Sequence, residues 1–374
     1  MVDKEVRVLC ERGFTLVELM IAIVISSVII AGGYTILTTT HKATISNERA
    51  VGTQQNIRVA MEVIARDIKL AGFGMPASSF PPVGGIAGNC APGGTTAAIR
   101  PVDNNPAIPL TAINDTGADT ISLIVPVTNP PNPPALGWVL TTAAPVGPVS
   151  STIALPATAV TEMQNQGMVN GSGAYISLGG IATYPVTSSA GTTITLGLPV
   201  TAPVSFPVGT PVYLLQCVTY QVQTGAGNCG SAGPCLTRTV DSGTAPTVTT
   251  PLVDGVEDLQ FAFGCDGCNG TAANGVIDDF NGNNTFDVAD FQTNRVWGAV
   301  TFDPATIRLV QVNIVARQTA IDQGTGEGIQ AGALSAPIQV SDHLPSNDAG
   351  YNAATYQSFR RRFLTRTIDT RNLQ

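Results

Sequence analysis

Residues 12–37, RGFTLVELMIAIVISSVIIAGGYTIL, decide the fold of this chain. From Phe14 to Leu37 the stretch is apolar on every side, and as a helix it is long enough to cross a bilayer core of roughly 30 Å. Glu18 is the one charge inside it. A lone carboxylate in hydrocarbon is costly, so this position calls for a partner. The run is longer than the apolar region of a secretory signal peptide. Its distinctive residues, Arg12, Gly13 and Phe14, come before it rather than as a small-residue cleavage site after it.

The helical pattern continues past the apolar run. Ile57, Met61, Ile64 and Ile68 recur at spacings of four, three and four, which lines one helical face. Arg58, Glu62, Arg66 and Lys69 fall off that stripe, and Glu62–Arg66 has the favourable i,i+4 orientation. Gly72-Phe73-Gly74-Met75-Pro76 is a stop signal, with glycine at the C-cap and proline just beyond. The first element therefore reads as one helix in two parts: a membrane or assembly half over 14–37 and an amphipathic half over 38–76. Gly32 and Gly33 loosen it midway.

Gly13-Phe14-Thr15-Leu16-Val17-Glu18 resembles the class III signal of type IV pilins and type II secretion pseudopilins. The resemblance implies that residues 1–13 are a leader removed by prepilin peptidase. It implies that cleavage follows Gly13, that Phe14 becomes the methylated N-terminus, and that Glu18 meets the N-terminus of a neighbouring subunit. An ammonium beside the acid would offset its burial in lipid. The leader departs from the usual pattern. Asp3, Glu5 and Glu11 balance Lys4, Arg7 and Arg12, so it carries no net positive charge.

Three further segments narrow the resemblance to PilW-like minor pilins. They are Ala65-Arg66-Asp67 with Ala71-Gly72-Phe73, then Val253-Asp254-Gly255-Val256-Glu257-Asp258-Leu259-Gln260, then Arg360-Arg361-Arg362-Phe363 with Arg371-Asn372-Leu373. The fold this implies is α+β: a long N-terminal pilin helix packed on an antiparallel β-sheet, with a large β-rich insertion. The implied function is a minor pilin that inserts in the inner membrane and takes part in pilus assembly and tip priming. Its implied partners are other pilins and minor pilins, prepilin peptidase and the inner membrane. The headgroup is expected in the periplasm and then on the pilus at the cell surface. Two competing readings share the signal: a GspJ-like minor pseudopilin of type II secretion, and a pilus-tip adhesin whose insertion binds a surface.

The whole chain has 12% charged residues, 39 Gly and 26 Pro, a turn-rich composition. Its balance is acidic, with 18 Lys+Arg against 26 Asp+Glu, so the headgroup is not expected to bind nucleic acid. Between residues 77 and 250 only Arg100, Asp103, Asp115, Asp119, Glu162, Arg238 and Asp241 are charged. Short β-like runs at 120–125, 174–178 and 192–196 are separated by turn clusters, so 77–210 reads as a β-rich, low-charge insertion. The remainder, 211–374, reads as a pilin-like β headgroup. Its strands are expected at 212–222, 259–263 and 307–317, with an edge strand at 361–368.

Cys10 lies in the leader. Cys90, Cys217, Cys229, Cys235, Cys265 and Cys268 remain, an even number that points to disulfides in an exported domain and leaves several connectivities open. Cys229–Cys235 and Cys265–Cys268 are the local choices, and Cys90–Cys217 is what is left. Zinc at the paired cysteines is the minor alternative. No haem attachment is supported, because Asn269 follows Cys268.

Asp279-Phe280-Asn281-Gly282-Asn283-Asn284-Thr285-Phe286-Asp287-Val288-Ala289-Asp290 is the second informative stretch. Asp279, Asn281, Asn283, Thr285, Asp287 and Asp290 place oxygens at positions 1, 3, 5, 7, 9 and 12, the spacing of an EF-hand-type calcium loop. Asn284 replaces the usual glycine, and Asp290 replaces the longer glutamate. Calcium is the expected ligand, and a solvated Asn/Asp-rich turn is the competing reading. The only histidines are His41 and His343. No nucleophile-elbow or phosphate-loop pattern is present, so no enzymatic activity is expected.

Overall fold

The computed structural model describes residues 15–73, 90, 98–104, 113, 115–127, 138–144, 152–168, 174–197, 200, 205–225, 227–230, 233–241, 248–268, 272–293, 304–321, 337–370 and 372. Gly13 and Phe14 lie outside them. Helix α1, Leu16–Leu70, is a single helix of 55 residues that runs through Gly32 and Gly33 without a break. At 1.5 Å per residue it is about 80 Å long. Ala71 caps it, and Gly72 follows at φ 77°, the left-handed position a helix end favours.

The two halves of α1 differ as their residues dictate. In the first, Leu16 is 74% and Leu37 70% exposed, and among the described residues nothing covers the apolar surface between them. Its hydroxyls return to the helix: Ser27 donates to the Val24 carbonyl at 2.7 Å, and Thr35 to that of Ala31 at 2.8 Å. That satisfies them without water. In the second half Ile57, Met61, Ile64 and Ile68 are all buried. Burial of each is worth about 1.5–3 kcal/mol over exposure. The Glu62–Arg66 pair does not form. Glu62 instead accepts from Arg366 at 2.7 Å, and Arg66 turns to Asp67 at 3.3 Å. The strand Arg361–Asp369 lies against α1 and offers Glu62 that second cation. Such exposed pairs contribute little.

Among the described residues the body holds two antiparallel sheets. The larger has nine strands: β1 (Ile99–Val102), β2 (Thr120–Pro126), β3 (Thr152–Ala154), β4 (Tyr175–Leu178), β5 (Ala182–Ala190), β6 (Thr193–Leu196), β7 (Val212–Gln223), β8 (Cys235–Asp241) and β9 (Val248–Asp254). The smaller has three, in the order β10 (Val256–Cys265), β11 (Ile307–Arg317) and β12 (Arg361–Asp369). Helix α2 (Ala157–Asn165) lies within 77–210, a segment read from sequence as strands and loops, and the short α3 (Ala353–Gln357) precedes β12.

Strand β7 organises the larger sheet. One edge pairs with β2, Tyr220 opposite Ile121. The other edge is shared between β4, Leu214 opposite Ile176, and β8, Tyr220 opposite Arg238. One main core joins the α1 stripe to Ile99, Ile121, Leu123 and Val125 and to the inner faces of β10 and β11, including Phe261, Phe263 and Val312. A second core gathers Trp138, Met163, Ile176, Ile194, Phe206 and Leu214 around β3–β6 and α2. Residues 77–210 and 211–374 therefore share one sheet and one core: β1 and β2 from the first segment pack beneath α1 beside strands of the second.

Candidate functional site

The exposed half of α1 begins with a capping box. The Thr15 side chain accepts from the Glu18 backbone N–H at 3.2 Å, and the Glu18 carboxylate accepts from the Thr15 backbone N–H at 2.9 Å and from its hydroxyl at 3.0 Å. Two orphan N–H groups of the helix start are satisfied in this way. Glu18 thus has local work within one chain, and its carboxylate stands at the N-terminal end of an otherwise apolar, unpacked helix surface.

The segments that resemble PilW-like proteins turn out to hold one another. Asp67, in Ala65-Arg66-Asp67, is 2% exposed. Its Oδ2 accepts from the Tyr220 hydroxyl at 2.6 Å and from Arg238 Nε at 3.1 Å. This fastens the end of α1 to β7 and β8. Burial and the neighbouring Asp67 push the Tyr220 phenol well up, so it stays a donor. Asn372 donates from its side chain to the Lys69 carbonyl at 2.6 Å, which ties the C-terminal segment to the same helix end.

The second and third segments meet across the smaller sheet. The turn into β10 is made at Gly255, φ 83°, whose N–H donates to the Pro234 carbonyl at 2.7 Å and whose carbonyl accepts from Arg317 at 2.8 Å. Glu257 is gripped by Arg361 through Nε and through Nη2, the latter at 3.2 Å. Burial raises the Glu257 carboxyl above its ordinary value despite the opposing pull of Arg361. The Arg361 guanidinium also lies 3.3 Å from the Tyr356 ring centroid.

The Asp279–Asp290 loop is compact. Asp279 accepts from the backbone of Gly282 and Asn284, Asn281 from Asn283, and Asn283 from Thr285. Asp287 accepts from the Asn281 and Asn283 side chains at 3.2 and 2.8 Å. Those donors and the Ala289 N–H, which is the largest influence, hold its carboxyl below the usual range. Asp290 is fully buried and takes the N–H groups of Phe280, Asn281 and Asp287. Asn284, in the position a glycine usually fills, has φ 60°. The loop follows no helix. A 3₁₀ turn, Val288–Asp290, closes it.

The cysteines pair as Cys90–Cys217, Cys229–Cys235 and Cys265–Cys268, with Cα separations of 5.9, 5.7 and 5.6 Å. Those separations lie in the ordinary disulfide range. Cysteines bonded to each other present no thiolates to zinc. Cys90–Cys217 sits in a small cluster with Ile124, Tyr175 and Leu215, where β7 passes from one core to the other.

Sequence reasoning missed two groups. Buried His343 donates or accepts at both ring nitrogens: Nδ1 lies 2.8 Å from Asp258 and Nε2 2.8 Å from Asp348. Burial alone would lower its pKa, but the two carboxylates outweigh that and raise it to about 9. An imidazolium held on both sides has no free nitrogen for general-base work. The other group brings Asp103, Asp115 and Asp342 together, with ligand oxygens all within 4.8 Å of one another. Nothing along the chain joins these three positions. For Asp67 a signal did exist, because an acid three residues after Ile64 falls on the buried stripe.

Residues 219–372 match the family described as Type IV pilus-assembly protein W, and residues 9–34 match the prokaryotic N-terminal methylation motif. Among solved structures the chain is similar to a type IV-like pilin, TTHA1219, from Thermus thermophilus. That likeness is 10% identical and covers 86% of this chain and 97% of that one, with a TM-score of 0.32. No curated protein matches the chain. The first match starts inside β7 and takes in the Asp279–Asp290 loop, Gly255, Glu257 and Arg361; residues 77–210 lie outside it.

Proposed function

We propose, from the premise that the chain is a PilW-like, pilus-related minor pilin, that prepilin peptidase cuts it after Gly13. Phe14 is then methylated, and the freed helix packs into a pilus or its priming tip. The observation that carries this reading is the state of the first half of α1. Its apolar surface from Leu16 to Leu37 is bare, and one carboxylate stands at its head. In the membrane lipid covers such a surface, and in a filament the same surface of other subunits replaces lipid. Association then comes from packing and from pairing polar groups rather than from escape from water. Glu18 would pair with the new amine of a neighbouring Phe14 and so set the axial register. Three disulfides fit a headgroup exported to an oxidising compartment.

The test separates the two uses of Glu18. Glu18→Gln keeps a side chain that can complete the capping box but removes the charge, whereas Glu18→Ala removes both. Both variants should insert and be cleaved, and both should lose surface pili. If Glu18→Gln assembles like the wild type, the carboxylate is only a cap. Intact mass of the membrane-purified protein checks processing, through loss of residues 1–13 and gain of one methyl group. A chain that keeps Met1 and stays monomeric refutes the proposal. A variant that loses protein secretion while pili persist would place the chain in type II secretion.

The Asp279–Asp290 loop belongs to the same proposal as a calcium site. Alternate oxygens from Asp279 to Asp287, the left-handed Asn284 and the buried Asp290 support it. Calcium would fix a loop whose Phe286 and Val288 are exposed. Asp279→Ala should abolish calcium-dependent protection of this loop from proteolysis.

A further inference from the structure

Asp103 follows β1 directly, and Asp115 lies on the connection from β1 to β2. Asp342 lies on the connection from β11 to β12. Asp115 and Asp342 come from opposite sheets and touch through the backbone: the Asp115 N–H donates to the Asp342 carbonyl at 3.3 Å, and Asp115 forms a parallel bridge with His343. Asp115 is fully buried and Asp342 is 5% exposed, yet none of their four carboxylate oxygens has a well-formed hydrogen bond; the Asp342 backbone N–H and the Thr293 side chain lie close enough only to offset part of the rise in the Asp342 carboxyl. Nearby Asp119 makes the contrast. It is as deeply placed, and its two oxygens take the N–H groups of Asn104 at 3.1 Å and Phe261 at 3.0 Å.

Buried carboxylates short of donors are costly, as those of Asp115 and Asp342 are, and the half-buried Asp103 carboxylate beside them adds a like charge. Burial and the charges of its two companions push the Asp115 carboxyl up to about 8, and burial with Asp103 raises Asp342 to about 6. The adjacent His343 spends both ring nitrogens on Asp258 and Asp348. Its imidazolium charge eases Asp115 and Asp342, but the ring donates no hydrogen bond to them, so what their oxygens lack is a ligand of their own.

We propose that Asp103, Asp115 and Asp342 form a calcium site that clamps the β1–β2 connection of the larger sheet to the β11–β12 connection of the smaller one. The donors are all carboxylate oxygens, which suit a hard cation and not zinc or copper. Three carboxylates offer up to six oxygens in irregular directions, a geometry calcium accepts and magnesium resists. This site is separate from the Asp279–Asp290 loop and does not depend on it.

The experiment is calcium titration of the full detergent-solubilised chain by calorimetry, with melting temperature followed in calcium and in chelator. Asp115→Asn and Asp342→Asn keep shape and remove charge. Each should weaken binding at one site by at least roughly tenfold. Each should also melt higher than the wild type in chelator, because repulsion is relieved, and should respond less to calcium. Asp279→Ala, run beside them, should remove a different site and leave this one titrating. The proposal is overturned if both asparagine variants bind as many calcium ions as the wild type and show the same calcium-dependent melting shift. It is also overturned if the wild type binds no ion that these variants lose. Loss of binding in Asp279→Ala alone would support the loop and refute the clamp.

Discussion

Replacing Asp67 with alanine should loosen the joint between helix α1 and strands β7 and β8. The wild-type carboxylate is 2% exposed, and its Oδ2 is shared by the Tyr220 hydroxyl at 2.6 Å and by Arg238, whose Nε and Nη2 both lie at 3.1 Å. Alanine leaves a buried phenol and a mostly buried guanidinium without an acceptor. Removing one partner of a buried ion pair costs about 3–5 kcal/mol. Arg238 keeps 19% of its side chain in water and recovers part of its solvation, so the expected loss is near the lower end, about 3 kcal/mol. Tyr220→Phe removes one donor to a charged acceptor and should cost less, about 1.5 kcal/mol. Once Asp67 is gone, Tyr220→Phe should add almost nothing, so the double variant should resemble Asp67→Ala alone. Urea unfolding of the detergent-solubilised chain, followed by aromatic fluorescence, measures all three. The reasoning fails if Asp67→Ala stays within about 0.5 kcal/mol of the wild type, as an ordinary surface change does, or if the two substitutions add independently.

Gly255→Ala should destabilise the chain by at least ~2 kcal/mol in the same unfolding assay, because the residue sits at φ 83° and a Cβ there would stand 2.4 Å from the Arg317 carbonyl oxygen. Cys90→Ser with Cys217→Ser opens a link between positions 127 residues apart and should cost about 3–5 kcal/mol, read from the urea midpoint with the other two disulfides intact.

What could be read along the chain was what the chain decides locally. The α1 stripe, the Gly72 stop and the strand at 307–317 follow from spacing and caps, and β11 spans Ile307–Arg317. The β-rich character of 77–210 was legible for the same reason, yet the way it joins the rest was not. β2 finds its partner in β7, with Ile121 opposite Tyr220, and no pattern within either strand names the other. Helix α2 was hidden because Ala157–Asn165 is weakly helical by itself and has no side-chain cap. It persists because Val160 and Met163 are buried in the second core. Charges show the same division. Glu62 and Arg66 had the spacing to pair, but tertiary contact gave Glu62 to Arg366. Asp67, Asp258 and Asp342 found their neighbours across long loops. The residues carrying the family likeness are those that span such distances: Asp67 to Arg238, Glu257 to Arg361 and Asn372 to Lys69. Each of these pairs clamps two elements that lie far apart in the sequence. Among the described residues the bare half of α1 has no such clamp, so in water its apolar face would stand uncovered.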